Sequence, residues 1–357
     1  MKKRIVGIDV ARALAVIGMI IVNFKIVFGE NGDSWLKAFA NLFSGKAAAT
    51  FVVLAGIGLA LMTNSAVKRQ DFEKLKMGRK RILKRAVFLF IVGLSYLWIW
   101  PADILHFYGI YMLICLFFIN RNPNQIMWAT VSLITLFPIT LLFIDYETGW
   151  DFTTLEYSGF WTIKGFLRNL FVNGFHPVIP WAAFMLFGLW YGKQDLNDAS
   201  FVKKSFSVSL IVFIGLQLLS IGSIQLLSNG NAQAIEDLTL LFGTSPMPPL
   251  PIYMLNGISI SILIISACIL IAQQFENNII IEALRKTGKL ALTFYVAHVV
   301  LGMGLVEGIL PGKLGEYSIE FSLSYALLFS LVCILFAQLW LRYRKEGPLE
   351  WVMRKLS

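Results

Sequence analysis

Residues 8–28 read IDVARALAVIGMIIVNFKIVF, an apolar run broken only by Asp9, Arg12, Asn23 and Lys25. About 20 mostly apolar residues in a helix cross the ~30 Å hydrocarbon core of a bilayer, so this stretch is a candidate span. The preceding Met1-Lys2-Lys3-Arg4 gives it the look of a signal peptide. Asp9, Arg12 and the lack of a small-residue cleavage site argue instead for a retained first helix. The same criterion finds runs at 45–65, 84–101, 103–120, 126–145, 178–192, 205–228, 251–273, 288–308 and 321–342, about ten spans in all.

Composition points the same way. The 357 residues are 57% hydrophobic and 15% charged, with a mean hydropathy of +0.71. Soluble domains carry about 25% charged residues, so a water-soluble enzyme and a disordered chain are both excluded. The net charge of +10 does not indicate nucleic acid. With the N-terminus in the cytoplasm, 24 of the 31 basic residues fall on that side and six on the other, as the positive-inside rule requires. The expected fold is all-α: a polytopic bundle forming one domain over 1–357, with both termini cytoplasmic. Residues 146–177 are too polar to span, yet hold Trp150, Phe160, Trp161, Phe166 and Phe171. They are expected to lie outside the cytoplasm, in the membrane interface. Cys115, Cys268 and Cys333 fall in apolar runs and behave as small hydrophobes.

Ionisable groups inside a span are costly and face a partner or a cavity. Asp9 and Arg12 are three residues apart and share a helix face. Asn23 returns to nearly the same face, giving the first helix one polar stripe. An ion pair with an interhelical amide bond explains the stripe as well as a functional site does. A second cluster is Trp100-Pro101-Ala102-Asp103-Ile104-Leu105-His106. Pro101 is expected to end the third helix and open the fourth, with Asp103 at its N-terminus and His106 one turn on. A carboxylate one turn from an imidazole can fix its tautomer and raise its basicity, which a general base needs. A capping aspartate beside a core histidine is the bland alternative.

His176 stands in Phe175-His176-Pro177-Val178-Ile179-Pro180-Trp181, where two prolines force a rigid, non-helical approach to the next helix. His298 lies about ten residues into the ninth span, deep enough to need a polar partner. These three are the only histidines, none has metal-ligand spacing, and no metal is expected. The densest basic run, Lys68 to Arg85, is an anchor beside anionic lipid or a contact for a phosphorylated cytosolic cofactor through Arg81 and Arg85. No phosphate-loop or dinucleotide-binding pattern occurs.

Several stretches together resemble a known family. They are Arg4 to Ala15 running on to Asn23, Trp100 to Tyr108, His176 to Trp181 with Gly188 and Gly192, Thr287 to Tyr295, and Gly347-Pro348-Leu349-Glu350-Trp351. The set is similar to the bacterial YeiB-like membrane proteins, grouped with heparan-α-glucosaminide N-acetyltransferase in a transmembrane acyltransferase superfamily. The resemblance implies an enzyme of the bacterial inner membrane. It would move an acyl group, acetyl foremost, from cytosolic acyl-CoA to an extracytoplasmic sugar or glycan. The heparan enzyme has Asn at the position of Asn23 and a catalytic His in the loop just after it. Here Phe24 to Phe43 contains no His, so the imidazole must come from His106, His176 or His298, or a carboxylate such as Asp33 must substitute.

On that basis His106, with Asp103, is the expected base and Asn23 the oxyanion donor, with His176 as the rival at the outer lip. Asp9, Arg12, Arg81 and Arg85 are the expected contacts for acyl-CoA. Membrane lipid is a further partner, and a homodimer is admitted. Two other functions use the same polar stripe: a transporter or flippase for a small molecule or lipid, and a non-enzymatic scaffold.

Overall fold

Helix α1 (Val6–Phe28) is followed by the short α2 (Ser34–Asn41) and by α3 (Lys46–Lys68) in the computed structural model, which describes residues 4–152 and 154–357. Helices α4 (Phe72–Ser95), α5 (Leu105–Phe118) and α6 (Pro123–Thr140) come next. A small hairpin, β1 (Trp150–Asp151) and β2 (Glu156–Tyr157), leads into α7 (Ile163–Arg168) and a π-helical turn, Asn169–Asn173. The chain continues through α8 (Val178–Tyr191), α9 (Ala199–Ser228), α10 (Ala232–Phe242) and α11 (Pro251–Gln274). Helices α12 (Ile279–Lys289) and α13 (Ala291–Ala297) run on to a second π segment, His298–Met303, and α14 (Gly304–Ile309). The last two are α15 (Ile319–Tyr343) and α16 (Pro348–Leu356).

The fold is thus nearly all-α. Among the described residues, six helical stretches are long and apolar enough to cross a membrane: α1, Ser34–Lys68, α9, α11, Ala291–Ile309 and α15. A seventh forms if Ile163–Asn173 and Val178–Tyr191, bent by 48°, make one span. Helices α4, α5 and α6 occupy the remaining expected positions. They fall short of the same measure by charge, length or polarity.

Two boundaries differ from the sequence reading. Helix α4 begins at Phe72, ahead of the expected start at 84, so most of the basic run is helical. Asp71 caps it by accepting from the Lys74 amide, and Glu73 sits in the first turn where the helix dipole favours a negative charge. The same helix stops at Ser95, six residues before Pro101. A turn closed by the Ile99 and Trp100 amides on the Tyr96 carbonyl follows. Pro101 therefore lies in a turn and neither ends one helix nor opens the next. The cytoplasmic charge assigned to Lys2 and Lys3 lies outside the described residues.

The chain divides into two units. The first contains the chain up to Phe51, Leu196–Ser207 and Ser261–Lys355. In it α1 packs on α12, α13 and α15. Gly288 lets α12 lie directly on the Asp9 carbonyl, where any Cβ would collide. An aromatic cluster of Phe24, Phe28, Phe321, Tyr325 and Phe329 fills the other end of α1. Such rings favour tilted and edge-to-face contacts over face-to-face stacking. Glu350 of α16 caps α13 from outside, accepting from the Leu292 and Thr293 amides at 2.8 and 3.2 Å and from the Thr293 hydroxyl at 2.5 Å. Leu290, the residue at the start of that helix, makes no side-chain cap of its own.

The second unit contains Val52–Asp195 and Val208–Ile260. Helix α5 packs on α4 and α8, and α6 packs on α8. Trp181, Phe184 and Tyr253 form a wholly buried aromatic core. The described residues of 146–177 form a knot of short pieces. Asn173, wholly buried, ties them: its amide donates to the Tyr146 and Thr148 carbonyls, and its side-chain oxygen accepts from the Tyr157 hydroxyl. The Trp150 indole donates to its carbonyl at 2.6 Å.

Candidate functional site

In the second unit the turn after α4 carries Asp103 to the start of α5, and the carboxylate is saturated with donors. Oδ2 accepts from the Leu105 amide at 2.7 Å and the His106 amide at 3.3 Å. Oδ1 accepts from the Tyr96 hydroxyl at 2.5 Å. His106 Nδ1 stands 3.3 Å from Oδ2, a long hydrogen bond. Asp103 is 0% exposed and His106 1%. A carboxylate beside Nδ1 selects the tautomer protonated there and leaves a lone pair on Nε2. That Nε2 is buried and has no hydrogen-bond partner among the described residues.

Two local features place this pair. Gly93 on α4 allows the backbone of α5 to approach, since a Cβ there would run into the His106 amide and the Asp103 carboxylate. Phe107 then lies between two imidazoles, its ring centroid 3.9 Å from His106 and 6.1 Å from His176. His176 is held by its own carbonyl, which accepts from the Tyr111 hydroxyl, and by the Trp181 ring at 4.6 Å. Its Nδ1 also has no partner among the described residues.

In the first unit Asp9 pairs with Arg12 at 2.8 Å, as the spacing predicts. It also receives Arg4 through two nitrogens, at 2.6 and 2.9 Å. The buried carboxylate is therefore the hub of a two-arginine cluster, and the forked Arg4 contact is the stronger kind. Arg4 was not expected there. Its signal was the i, i+5 spacing just ahead of the helix, which the i, i+3 and i, i+4 rule for helix neighbours does not cover. Asn23 finds its partner in His298, Nδ2 to Nε2 at 2.8 Å. His298 opens the π segment and packs against Tyr295 and Phe24.

The structure so brings together Asp9 with Arg12, and Asp103 with His106 beside His176. Asn23 meets a histidine outside the expected catalytic set. Arg81 is exposed and Arg85 half-buried on α4. Just outside the spans, Lys193 donates to the Ile119 and Arg121 carbonyls, and burial lowers its pKa from the ordinary lysine value. Among the described residues no group of three His, Cys, Asp or Glu is placed to hold a metal ion.

A nearly all-helical chain with several membrane-length spans is a multi-pass membrane protein. Residues 4–225 match the family model described as heparan-alpha-glucosaminide N-acetyltransferase, catalytic, and the chain belongs to that family. Residues 191–357 match a second family model, a protein of unknown function named DUF418. Among its relatives is the uncharacterized protein YeiB of Escherichia coli (strain K12). It is 23% identical, over 99% of this chain and 96% of the relative. The uncharacterized protein YxaH of Bacillus subtilis (strain 168) is 21% identical, over 99% of this chain and 94% of the relative. No solved structure matches the chain.

Proposed function

We propose that the chain is an acyltransferase of the bacterial inner membrane. It moves an acyl group, acetyl foremost, from cytosolic acyl-CoA to an extracytoplasmic sugar or glycan. The observation that carries the reading is the buried Asp103–His106 pair with a lone pair left on Nε2, in a chain whose family is named for acetyl transfer. His106 Nε2 takes the proton from the acceptor hydroxyl or amine as that group attacks the thioester carbonyl. The new C–O or C–N bond forms, the C–S bond breaks, and the CoA thiolate recovers the proton from the imidazolium. Asp103 orients the ring and stabilises its charged form while the proton is held there.

Both termini lie in the cytoplasm in this reading, and α4, α5, α6 and α8 complete a set of about ten spans. Arg12, Arg81 and Arg85 meet the phosphates of acyl-CoA from the cytoplasmic side, with Asp9 holding Arg12 in place. Asn23 is better suited to orient His298 than to receive an oxyanion, because its amide is already engaged.

The test is release of free CoA from acetyl-CoA by protein reconstituted in nanodiscs. Removing a general base costs about 10²–10⁴ in rate, so His106→Ala should lose that much while binding CoA as before. Full activity in His106→Ala with loss in His298→Ala would move the chemistry to the Asn23–His298 pair. Flux of a small molecule or lipid in proteoliposomes with no thioester turnover would make the protein a transporter.

A further inference from the structure

The first unit gathers cations where two of its spans begin. Arg4 stands two residues before the Val6–Phe28 span, and Lys289 two residues before the Ala291–Ile309 span. Gly288 presses α12 onto the Asp9 carbonyl and so brings the two starts together. Lys289 therefore feels Arg285 and Arg4 as like charges, and Asp9 and Glu282 as opposite ones. Both carboxylates are already committed. Asp9 pairs with Arg4 and Arg12, and Glu282 with Arg285 at 2.5 Å and Lys286 at 3.9 Å. Five cations thus share two acids, and Lys289 is left over. It makes no hydrogen bond or ion pair among the described residues. Arg4 and Arg285 each use Nε and Nη2 on their carboxylate, which leaves both N–H groups of Nη1 available.

An excess of positive charge with an unpaired ammonium suits an anion, and depth decides which one. Residues at the start of a span lie at the level of the lipid phosphates, where basic pockets between helices take anionic headgroups. The same end of the unit has the other marks of a membrane interface. Ile279 and Ile280 open α12 with 81% and 64% of their surface exposed. Gly347 packs on Leu290, the residue after Lys289, since a Cβ there would stand 2.9 Å from the leucine side chain. That contact brings α16 alongside, with Trp351 exposed and the Lys355 ammonium 5.0 Å from its ring. Tryptophan with flanking cations is the usual composition of an interfacial belt. A soluble anion gains nothing from exposed isoleucines and an indole. Arg12 lies nearly two turns inside α1 and stays with the proposed acyl-CoA contacts.

We infer that Lys289, with Arg4 and Arg285, forms a binding site for the phosphate of an anionic phospholipid. The ammonium meets the phosphate as a point charge, and the two Nη1 groups add directed hydrogen bonds. A zwitterionic lipid carries its own cation, which the surplus positive charge repels.

The experiment is native mass spectrometry of the detergent-purified full chain, titrated with phosphatidylglycerol or with phosphatidylcholine. Phosphatidylglycerol should bind at least about tenfold tighter, and Lys289→Gln should weaken it about fivefold, the worth of one cation at a lipid surface. Lys289 has no partner to lose, so this variant should keep the wild-type melting transition. Lys203→Gln removes an exposed cation of the same unit, on α9, and should leave the affinity unchanged. Equal binding of the two lipids overturns the inference, as does unchanged affinity in Lys289→Gln. An equal loss in Lys203→Gln overturns it too, because the attraction would then belong to net charge and to no site. Inorganic phosphate and free CoA are added as competitors. Retention of the lipid supports the site, and its displacement by either assigns these cations to a soluble anion and overturns it. No arm measures turnover, so the result stands apart from the acyltransferase reading.

Discussion

The two nitrogens of His106 have different fates, and the proposed chemistry rests on that difference. Nδ1 faces a carboxylate already held by three other donors, so the ring cannot swing without breaking a buried network. The Asp-x-x-His spacing made the pair legible in the sequence. Tyr96 was not legible, because it joins from the far side of a turn that the sequence reading took for helix. Removing the Tyr96 hydroxyl deletes a hydrogen bond to a charged group, worth about 1.5–3 kcal/mol. Tyr96→Phe should therefore lower the unfolding free energy by that order and also reduce CoA release; chemical denaturation beside the activity assay measures both. Unchanged stability would mean that the phenol does not hold the carboxylate. Asn23 allows a second check. Asn23→Leu leaves the His298 nitrogen without its amide and should cost about 1–3 kcal/mol, read as an earlier unfolding midpoint.

At the scale of elements, close helix approach and long-range capping decide the packing. Gly288 sits against the Asp9 carbonyl with no room for a methyl group. Overpacking of that kind costs about 1–3 kcal/mol, sometimes more, so Gly288→Ala should melt earlier and weaken the Arg4–Asp9–Arg12 cluster. A variant with wild-type melting would show that α12 can move away freely. Glu350 caps α13 from a separate helix, and burial raises its carboxyl above the ordinary value of 4.5 despite four hydrogen bonds that oppose the shift. A carboxyl raised in the folded state adds stability that is whole below its unfolded value and is lost as pH climbs through the folded one. Wild-type protein should thus lose stability relative to Glu350→Gln as pH rises from the acid side of 4.5 toward neutrality. Melting curves of the two proteins across that range check it, and a constant gap would show that folding leaves the Glu350 carboxyl unshifted. The Gly347 to Trp351 stretch gave no hint of this role, since a cap in trans has no sequence spacing.

For the whole molecule, the asymmetry of basic residues predicts that Ser357 lies in the cytoplasm and Asn231, at the start of α10, on the opposite side. Single cysteines at these positions, in a background lacking Cys115, Cys268 and Cys333, should differ in labelling by a membrane-impermeant maleimide added to intact cells. Asn231→Cys should react and Ser357→Cys should not. The reverse result would invert the topology and put the proposed acyl-CoA contacts on the wrong side.

Hydropathy and charge placement by themselves determined that this is a helical membrane chain and where most of its helices lie. Burial of about 20 apolar residues in a bilayer is a local property, readable along one segment. The Asp9–Arg12 and Asp103–His106 pairs were likewise local, each set by one helical turn. Only the tertiary structure decided the rest: Arg4 as the second cation on Asp9, His298 as the partner of Asn23, Asn173 as the knot before α8, and Glu350 as the cap of α13. Each joins residues through space at separations that no helical or strand period encodes. Most buried donors and acceptors are paired, but the sequence alone does not say which distant residue will come to meet each one.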